Sequence, residues 1–428
     1  MTTSSRSPDT VRGPARKMAD IAPFYVMDIL GRAKELEAQG REIIHMEVGE
    51  PDFPTPQPVI EAGIQALGAG HTHYTASLGI PALRQAIADF YLRRYGVHIP
   101  AHRIAITPGV SSALQLALAT LIDPGDEVMV ADPGYPCNRN MIRLFEGTTV
   151  AVPVGIETAY QLTPQLITRH ATPSTSAIVL TTPSNPTGTL VTPGNMAGIL
   201  REARRLDARV VVDEIYLGLV YDDATVAVAV TGGADAPMAG TTASDTGDTR
   251  DAAGTHVGTA LALSDDIFLA SGFSKYFGMT GWRLGWMIVP ECFLPDIERL
   301  AQNLYLAPPT MAQYAALTAF RPDTLAILEA RRQEFQRRRD FLLPALEEIG
   351  FHIPVKPHGA FYLYADCSPF SEDSARFADD LLENAGVAIT PGIDFGDNAP
   401  ERHVRFAYTT SMENLHEGVE RLRRYLST

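Results

Sequence analysis

A lysine stands among aromatic and apolar residues in Ser271-Gly-Phe-Ser-Lys275-Tyr-Phe-Gly-Met-Thr-Gly-Trp-Arg283, just after an apolar run, 267–270, whose pattern predicts a strand. An ammonium deprived of hydration loses proton affinity, and the neutral amine that results is nucleophilic enough to condense with an aldehyde. Taken alone, Lys275 reads better as a surface lysine following a strand, and it is the rest of the chain that shifts the balance. Arg283, further along the same segment, can supply a fixed cation for a phosphate.

Three other segments place polar groups at the ends of predicted strands. Val110, Ser111 and Ser112 follow Thr107-Pro108-Gly109 where a strand gives way to a helix. The free N–H groups and positive end of that helix suit a phosphate, and either serine also suits a plain helix cap. Ser184-Asn185-Pro-Thr-Gly188 follows the apolar run 177–182, at the edge where open α/β sheets bind ligands, although Asn-Pro is also an ordinary turn. Asp213-Glu-Ile-Tyr216 ends the run 209–212. A carboxylate there, with a phenol three residues on, is what keeps a pyridine nitrogen protonated in a pyridoxal electron sink.

The elements that must hold these residues alternate between strand and helix. The runs 103–107, 126–132, 177–183 and 209–214 read as strands, and 111–122 as a helix. The strands are apolar at successive positions, as in a parallel sheet covered by helices on both faces. Beyond a long amphipathic helix at about 323–349, short strands at 361–366 and 403–408 mix with helices into a smaller α+β unit. Residues 1–20 are polar and aperiodic and read as a disordered arm, with structure beginning near Pro23. Residues 231–258 contain no leucine, isoleucine or aromatic residue and read as a mobile insertion.

Composition narrows the function. The 428 residues are 45% hydrophobic and 20% charged, a globular balance with room for two domains. A net charge of -15 argues against nucleic acid or an anionic membrane surface as partner. Cys137, Cys292 and Cys367 show no metal or disulfide spacing, so no metal site is expected, and the absence of a leader or long apolar stretch predicts a cytoplasmic protein. No nucleotide-binding glycine signature follows a strand.

Taken in order, these segments resemble the class I/II aminotransferases of pyridoxal-phosphate fold type I, the aspartate aminotransferase-like family, from about residue 22 onward. The matching residues are Tyr74 in HYTASLGIPALR, the Gly109–Ser112 turn, Tyr135 in DPGYP, Asn185 in SNPTG, Asp213 and Tyr216 in DEIY, Lys275 and Arg283, and Arg405 in VRFAY. The resemblance implies that Lys275 forms the Schiff base with pyridoxal 5′-phosphate and moves the proton. By the same resemblance Asp213 pairs with the pyridine nitrogen, Asn185 and Tyr216 bond the phenolate oxygen, and Tyr135 stacks on the ring. The phosphate would lie among Val110, Ser111, Ser274, Arg283 and, from a second subunit, Tyr74. Arg405, with Gly49 and Asn185 nearby, would hold the substrate carboxylate. Many relatives carry a serine three residues before the lysine, where this chain has Gly272, with Ser271 one step earlier.

The implied fold is an α/β large domain over 50–310 around a mostly parallel sheet, with a small α+β domain built from 21–49 and 311–428, assembled as a homodimer. The implied activity is transfer of the α-amino group of an L-amino acid to a 2-oxo acid, 2-oxoglutarate or pyruvate. A C–S lyase or related β/γ-elimination on the same scaffold is the alternative. An aminotransferase-like regulator module is disfavoured, because only about twenty residues precede Ile21. Arg299, the only arginine of 284–320, reads as a solvated helix residue, and Phe24, Tyr25 and Tyr305 suggest a pocket for neutral side chains.

Overall fold

The computed structural model describes residues 13–221 and 258–427. Nearly all of the insertion read at 231–258 lies outside them. Among these described residues, twelve strands form three sheets. The largest has seven: β2 (Ile104–Thr107), β3 (Glu127–Asp132), β4 (Thr148–Pro153), β5 (Thr175–Thr181), β6 (Arg209–Asp213), β7 (Phe268–Gly272) and β8 (Gly285–Ile288). Their order across the sheet is β2-β8-β7-β6-β5-β3-β4, and only β8 runs against its neighbours. The fold is therefore α/β with a mostly parallel central sheet. Val179, Val210, Val211, Val212 and Leu269 are buried along its middle strands, as β-branched and apolar side chains must be when helices cover both faces.

The parallel run has a geometric result. The carboxyl ends of β3, β5, β6 and β7 share one edge, and β2, separated from β7 by the reversed β8, ends there too. Every sequence segment singled out above around residues 109, 135, 185, 213 and 275 leaves the sheet at this edge.

The C-terminal part supplies an antiparallel sheet in the order β11 (Thr390–Pro391), β12 (His403–Ala407), β9 (Tyr362–Asp366). A two-stranded parallel pair joins β1 (Ile44–His45) to β10 (Val387–Ala388), tying the N-terminal segment to the last third of the chain. The expected long helix is present over Pro322–Ile349, with a proline in its first turn and Gly350 at a φ of 119° just beyond it.

The N-terminal reading needs a correction. Residues Arg16–Asp20, placed above in a disordered arm, form a 3-10 turn against helix Pro136–Leu144. Lys17 Nζ donates to the Leu144 carbonyl at 3.0 Å, and Arg143 pairs with Asp20 at 2.8 Å. Charge pairs hold this turn on the chain's own surface, and such pairs leave no apolar periodicity to read.

Candidate active site

Lys275 follows β7 on an irregular turn and lies largely out of water, its Nζ donating to the carbonyl of Gly49 at 2.6 Å. Burial holds its pKa down to about 8, against the pull of Glu50 and with help from the cations Arg405 and Arg283. A substantial share of the amine is thus neutral just above neutral pH. Gly49 must be glycine here, because a Cβ would stand 1.9 Å from the Tyr362 hydroxyl.

Asp213 is the last residue of β6 and is 4% exposed. One of its oxygens accepts the Ile215 N–H at 3.0 Å. Burial pushes its pKa up to about 7, and that hydrogen bond and the charge of Lys275 only partly oppose the rise. Such a carboxylate lacks the partner cation that would hold it ionised. Its neighbour Glu214 faces away, accepting from Thr259 at 2.8 Å and from the Ala260 N–H at 2.7 Å.

Tyr216, buried, shares a 2.9 Å hydrogen bond with the hydroxyl of Tyr362. Tyr362 also lies under the guanidinium of Arg405, 4.4 Å from its ring centre, while Phe395 covers the other side at 4.8 Å. Arg405, in β12, is 2% exposed. It donates to Asn185 Oδ1 at 2.8 Å, to Thr390 Oγ1 at 3.1 Å and to the Glu47 carbonyl, while its Nε is buried with no partner. A buried guanidinium that makes no salt bridge among the described residues, and whose Nε is idle there, suits a carboxylate.

On the opposite side, helix Val110–Leu121 begins after Gly109 with no side-chain cap. Ser112 bonds back to the Pro108 carbonyl at 3.2 Å, so the hydroxyl is not on the first-turn amides. The guanidinium of Arg283 lies against Gly109, and Ser274 is buried just before the lysine. Ser271 is turned away and donates to the Glu214 carbonyl at 3.3 Å. Gly272 explains the departure from the family pattern: a Cβ there would meet Val110 Cγ2 at 2.7 Å and Gly285 Cα at 3.2 Å.

Tyr135 precedes helix Pro136–Leu144, with Phe24 edge-on to its ring at 6.4 Å. A cavity beside it is lined by Asn138, Arg139, Gln161, Thr181 and Asn185. Within one chain Tyr74 is not gathered into this group and is 81% exposed. Arg299 is exposed and paired with Asp296 at 3.1 Å, as its helix reading requires.

Sequence reasoning missed Tyr362, Thr390, Phe395 and Arg139. Tyr362 carried the best available signal, since it alternates with Leu363 in a short strand that pairs beside Arg405 in β12. The antiparallel register, which no local pattern gives, sets Tyr364 opposite Arg405 and Tyr362 opposite Ala407, two residues along, from where its ring reaches the guanidinium diagonally.

The profile described as aminotransferase class I and II matches residues 41–422. Valine–pyruvate aminotransferase of Mycobacterium tuberculosis is 34% identical over 408 residues, 95% of this chain and 97% of that protein. Aspartate/prephenate aminotransferase of Thermus thermophilus is 34% identical over 418 residues, 97% of this chain and 99% of that one. The crystal structure of an aminotransferase from Mycobacterium tuberculosis superposes with a TM-score of 0.86 at 34% identity, covering 97% of this chain and all of the other. With sequence, fold and site geometry in agreement, this chain belongs to the class I and II aminotransferases, pyridoxal 5′-phosphate-dependent enzymes of fold type I that pass an amino group from an amino acid to a 2-oxo acid.

Proposed function

We propose that this site moves the α-amino group of an L-amino acid with a neutral side chain to 2-oxoglutarate or pyruvate, with Lys275 as the base. The observation that carries the reading is the half-buried Lys275 amine, resting on the Gly49 carbonyl at 2.6 Å with its pKa held down to about 8. The residues fit pyridoxal phosphate. Asp213 is a buried carboxylate short of a cation, which a protonated ring nitrogen supplies, and the Val110 and Ser111 amides, Ser274 and Arg283 suit its phosphate. Tyr135 offers a ring face, and Asn185 and Tyr216 offer bonds to the phenolate oxygen. When bound, the cofactor supplies an electron sink for the charge left at the substrate α-carbon.

Arg405 receives the substrate carboxylate, which fixes the α-carbon relative to the lysine. Asn185, already bonded to Arg405, orients the guanidinium, and Tyr362 and Phe395 keep water from its faces. Lys275 then takes the α-proton, a task for which a pKa near the working pH is suited. Lys275→Ala is expected to remove multiple-turnover transamination while leaving a folded chain. Wild-type kcat in that variant, measured with the amino donor in excess, would overturn the assignment.

Side-chain choice is the finer part. Phe24 and Tyr135 form an aromatic wall, and burying an unpaired carboxylate against it costs several kcal/mol. A second reading, an acidic side chain, is favoured by Arg139 in the cavity beside Tyr135 and Asn185. Asp397, 3.5 Å from Arg139 but almost wholly in solvent, offsets that charge only in part, so it is the aromatic wall that favours neutral substrates. Comparing kcat/KM for L-aspartate with L-alanine, L-leucine and L-phenylalanine decides between them. A preference for aspartate beyond about tenfold, ~1.4 kcal/mol of transition-state binding, means that Arg139 serves the substrate.

The same reading includes a homodimer. Ile64, Leu67, Tyr74, Leu304, Leu306 and Met311 are exposed apolar residues on neighbouring elements, a face that a second copy would cover. A cytoplasmic setting is also part of it, supported by three cysteines that form no disulfide. So is the two-domain division at about residues 50 and 310, supported by the separate C-terminal sheet.

A further inference from the structure

The Gly49 carbonyl that receives Lys275 belongs to a stretch, residues 46–56, with neither helix nor strand to fix it. Its near end is tied to the C-terminal part, where Thr409 donates to the Val48 carbonyl at 2.8 Å and Thr390 to that of Glu47 at 3.0 Å, and its far end to the lysine turn, because Thr55 donates to the Gly278 carbonyl at 2.9 Å and accepts from Trp282 at 2.9 Å. Its middle is fastened elsewhere. Arg338, in helix Pro322–Ile349 and 3% exposed, grips both oxygens of Asp52 at 2.7 and 3.0 Å while its Nε bonds Glu334 at 3.1 Å. The adjacent Phe53 ring lies between the guanidinium groups of Arg338, at 4.8 Å, and Arg331, at 5.1 Å, and packs edge-on against Phe335 at 5.4 Å.

We propose that Arg338, acting through Asp52, is a positioning residue for the reaction: the clamp sets the height of the Gly49 carbonyl and thereby the resting place of the Lys275 amine. The inference builds on the functional reading above. A bidentate guanidinium–carboxylate pair fixes direction as well as distance, and this one is largely shielded by the long helix. With the clamp gone, the 46–56 stretch keeps its ties at Glu47, Val48 and Thr55, but the span between Val48 and Thr55 loses its hold at Asp52, and the Gly49 carbonyl is free to shift under the lysine. Arg405 keeps its bonds to Asn185 and Thr390, so substrate capture is touched less than proton transfer.

The test compares Arg338→Met, Asp52→Asn and the double variant with wild type, as full chains loaded with pyridoxal phosphate and also stripped of it. Turnover is expressed per bound cofactor. In the stripped chains the Lys275 amine is titrated by NMR after reductive 13C-methylation, which is practicable because the lysines are only Lys17, Lys34, Lys275 and Lys356. The groups facing that amine, Glu50, Asp213, Arg283 and Arg405, are the same in every variant. Expected are a fall in kcat of about tenfold or more with KM within about threefold, and a Lys275 midpoint moved by more than about half a pH unit. The double variant should be no worse than the more damaged single one, since both remove one clamp.

Unchanged kcat and midpoint in both single variants, or losses that add in the double, would overturn the proposal. Should Arg338→Met not fold, Asp52→Asn decides alone, its side chain being partly in solvent. A wild-type chain that took up no pyridoxal phosphate would sink the functional reading instead, and the titration in the stripped chains would still judge the clamp.

Discussion

Asp213 and Glu214 are adjacent buried carboxylates, and burial pushes both up to about pH 7, yet they serve opposite ends of the structure. Glu214 is taken up by Thr259 and Ala260, where the described chain resumes, whereas Asp213 keeps capacity for a cation. The folded pKa of Asp213 lies above its ordinary 3.8, so the folded chain keeps a proton that the unfolded chain releases between about pH 4 and 7. Without cofactor, that residue's contribution to stability is therefore present at low pH and declines as pH rises through the window. Asp213→Asn has no such proton, and its stability relative to wild type should rise from pH 4 to pH 7 in urea unfolding of the cofactor-free chain. An unchanged difference at the two pH values would show that Asp213 ionises freely. Lys275, Asp213 and Asn185 were legible because each ends a strand or follows one and they keep a known order. Tyr362 was not, because a tyrosine in a short apolar strand reads as core until the register beside Arg405 is known.

The crossing of β7, β8 and the start of helix Val110–Leu121 is the element on which the anion side of the site depends. Its packing leaves no space for a side chain at Gly272, whose Cβ would press on Val110 and the backbone of Gly285. Gly272→Ser should therefore destabilise the chain by about 1–3 kcal/mol and weaken retention of pyridoxal phosphate. Thermal melts and cofactor titration check this, and wild-type values in both would mean that the crossing yields easily. The helix starts and the central strands were readable from apolar runs and turn residues. The four residues of β8 were not, since Gly-Trp-Met-Ile has no alternation and its place depends on two neighbours far away in sequence, β2 and β7. The Arg16–Asp20 turn was misread for the converse reason, as the bond of Lys17 to the Leu144 carbonyl and the Asp20–Arg143 ion pair order a polar stretch.

At the scale of the molecule, Tyr74 stands in solvent within one chain although the resemblance groups it with the phosphate ligands, and the proposed dimer would resolve this by giving it to the partner's site. Tyr74→Ala and Lys275→Ala chains, each deficient alone, should regain activity on mixing: random exchange leaves about a quarter of sites with both residues intact. No recovery after proven exchange would remove Tyr74 from the neighbouring site. The α/β class was legible from strand–helix alternation, while the joining of the N-terminal segment to the C-terminal sheet was not, because nothing local announces a partner hundreds of residues away. That joining also imposes a timetable. The carbonyl of Glu47 meets Arg405 across 358 positions and Thr390 across 343, so this arginine reaches its seat only when almost the whole chain has left the ribosome. At ~5–20 residues per second, the 44–49 segment spends roughly 20–70 s with its β-pairing edge uncovered. In that interval the nascent chain is most exposed to misassembly, and a chaperone that shields the segment would raise the yield of active enzyme without touching the finished fold.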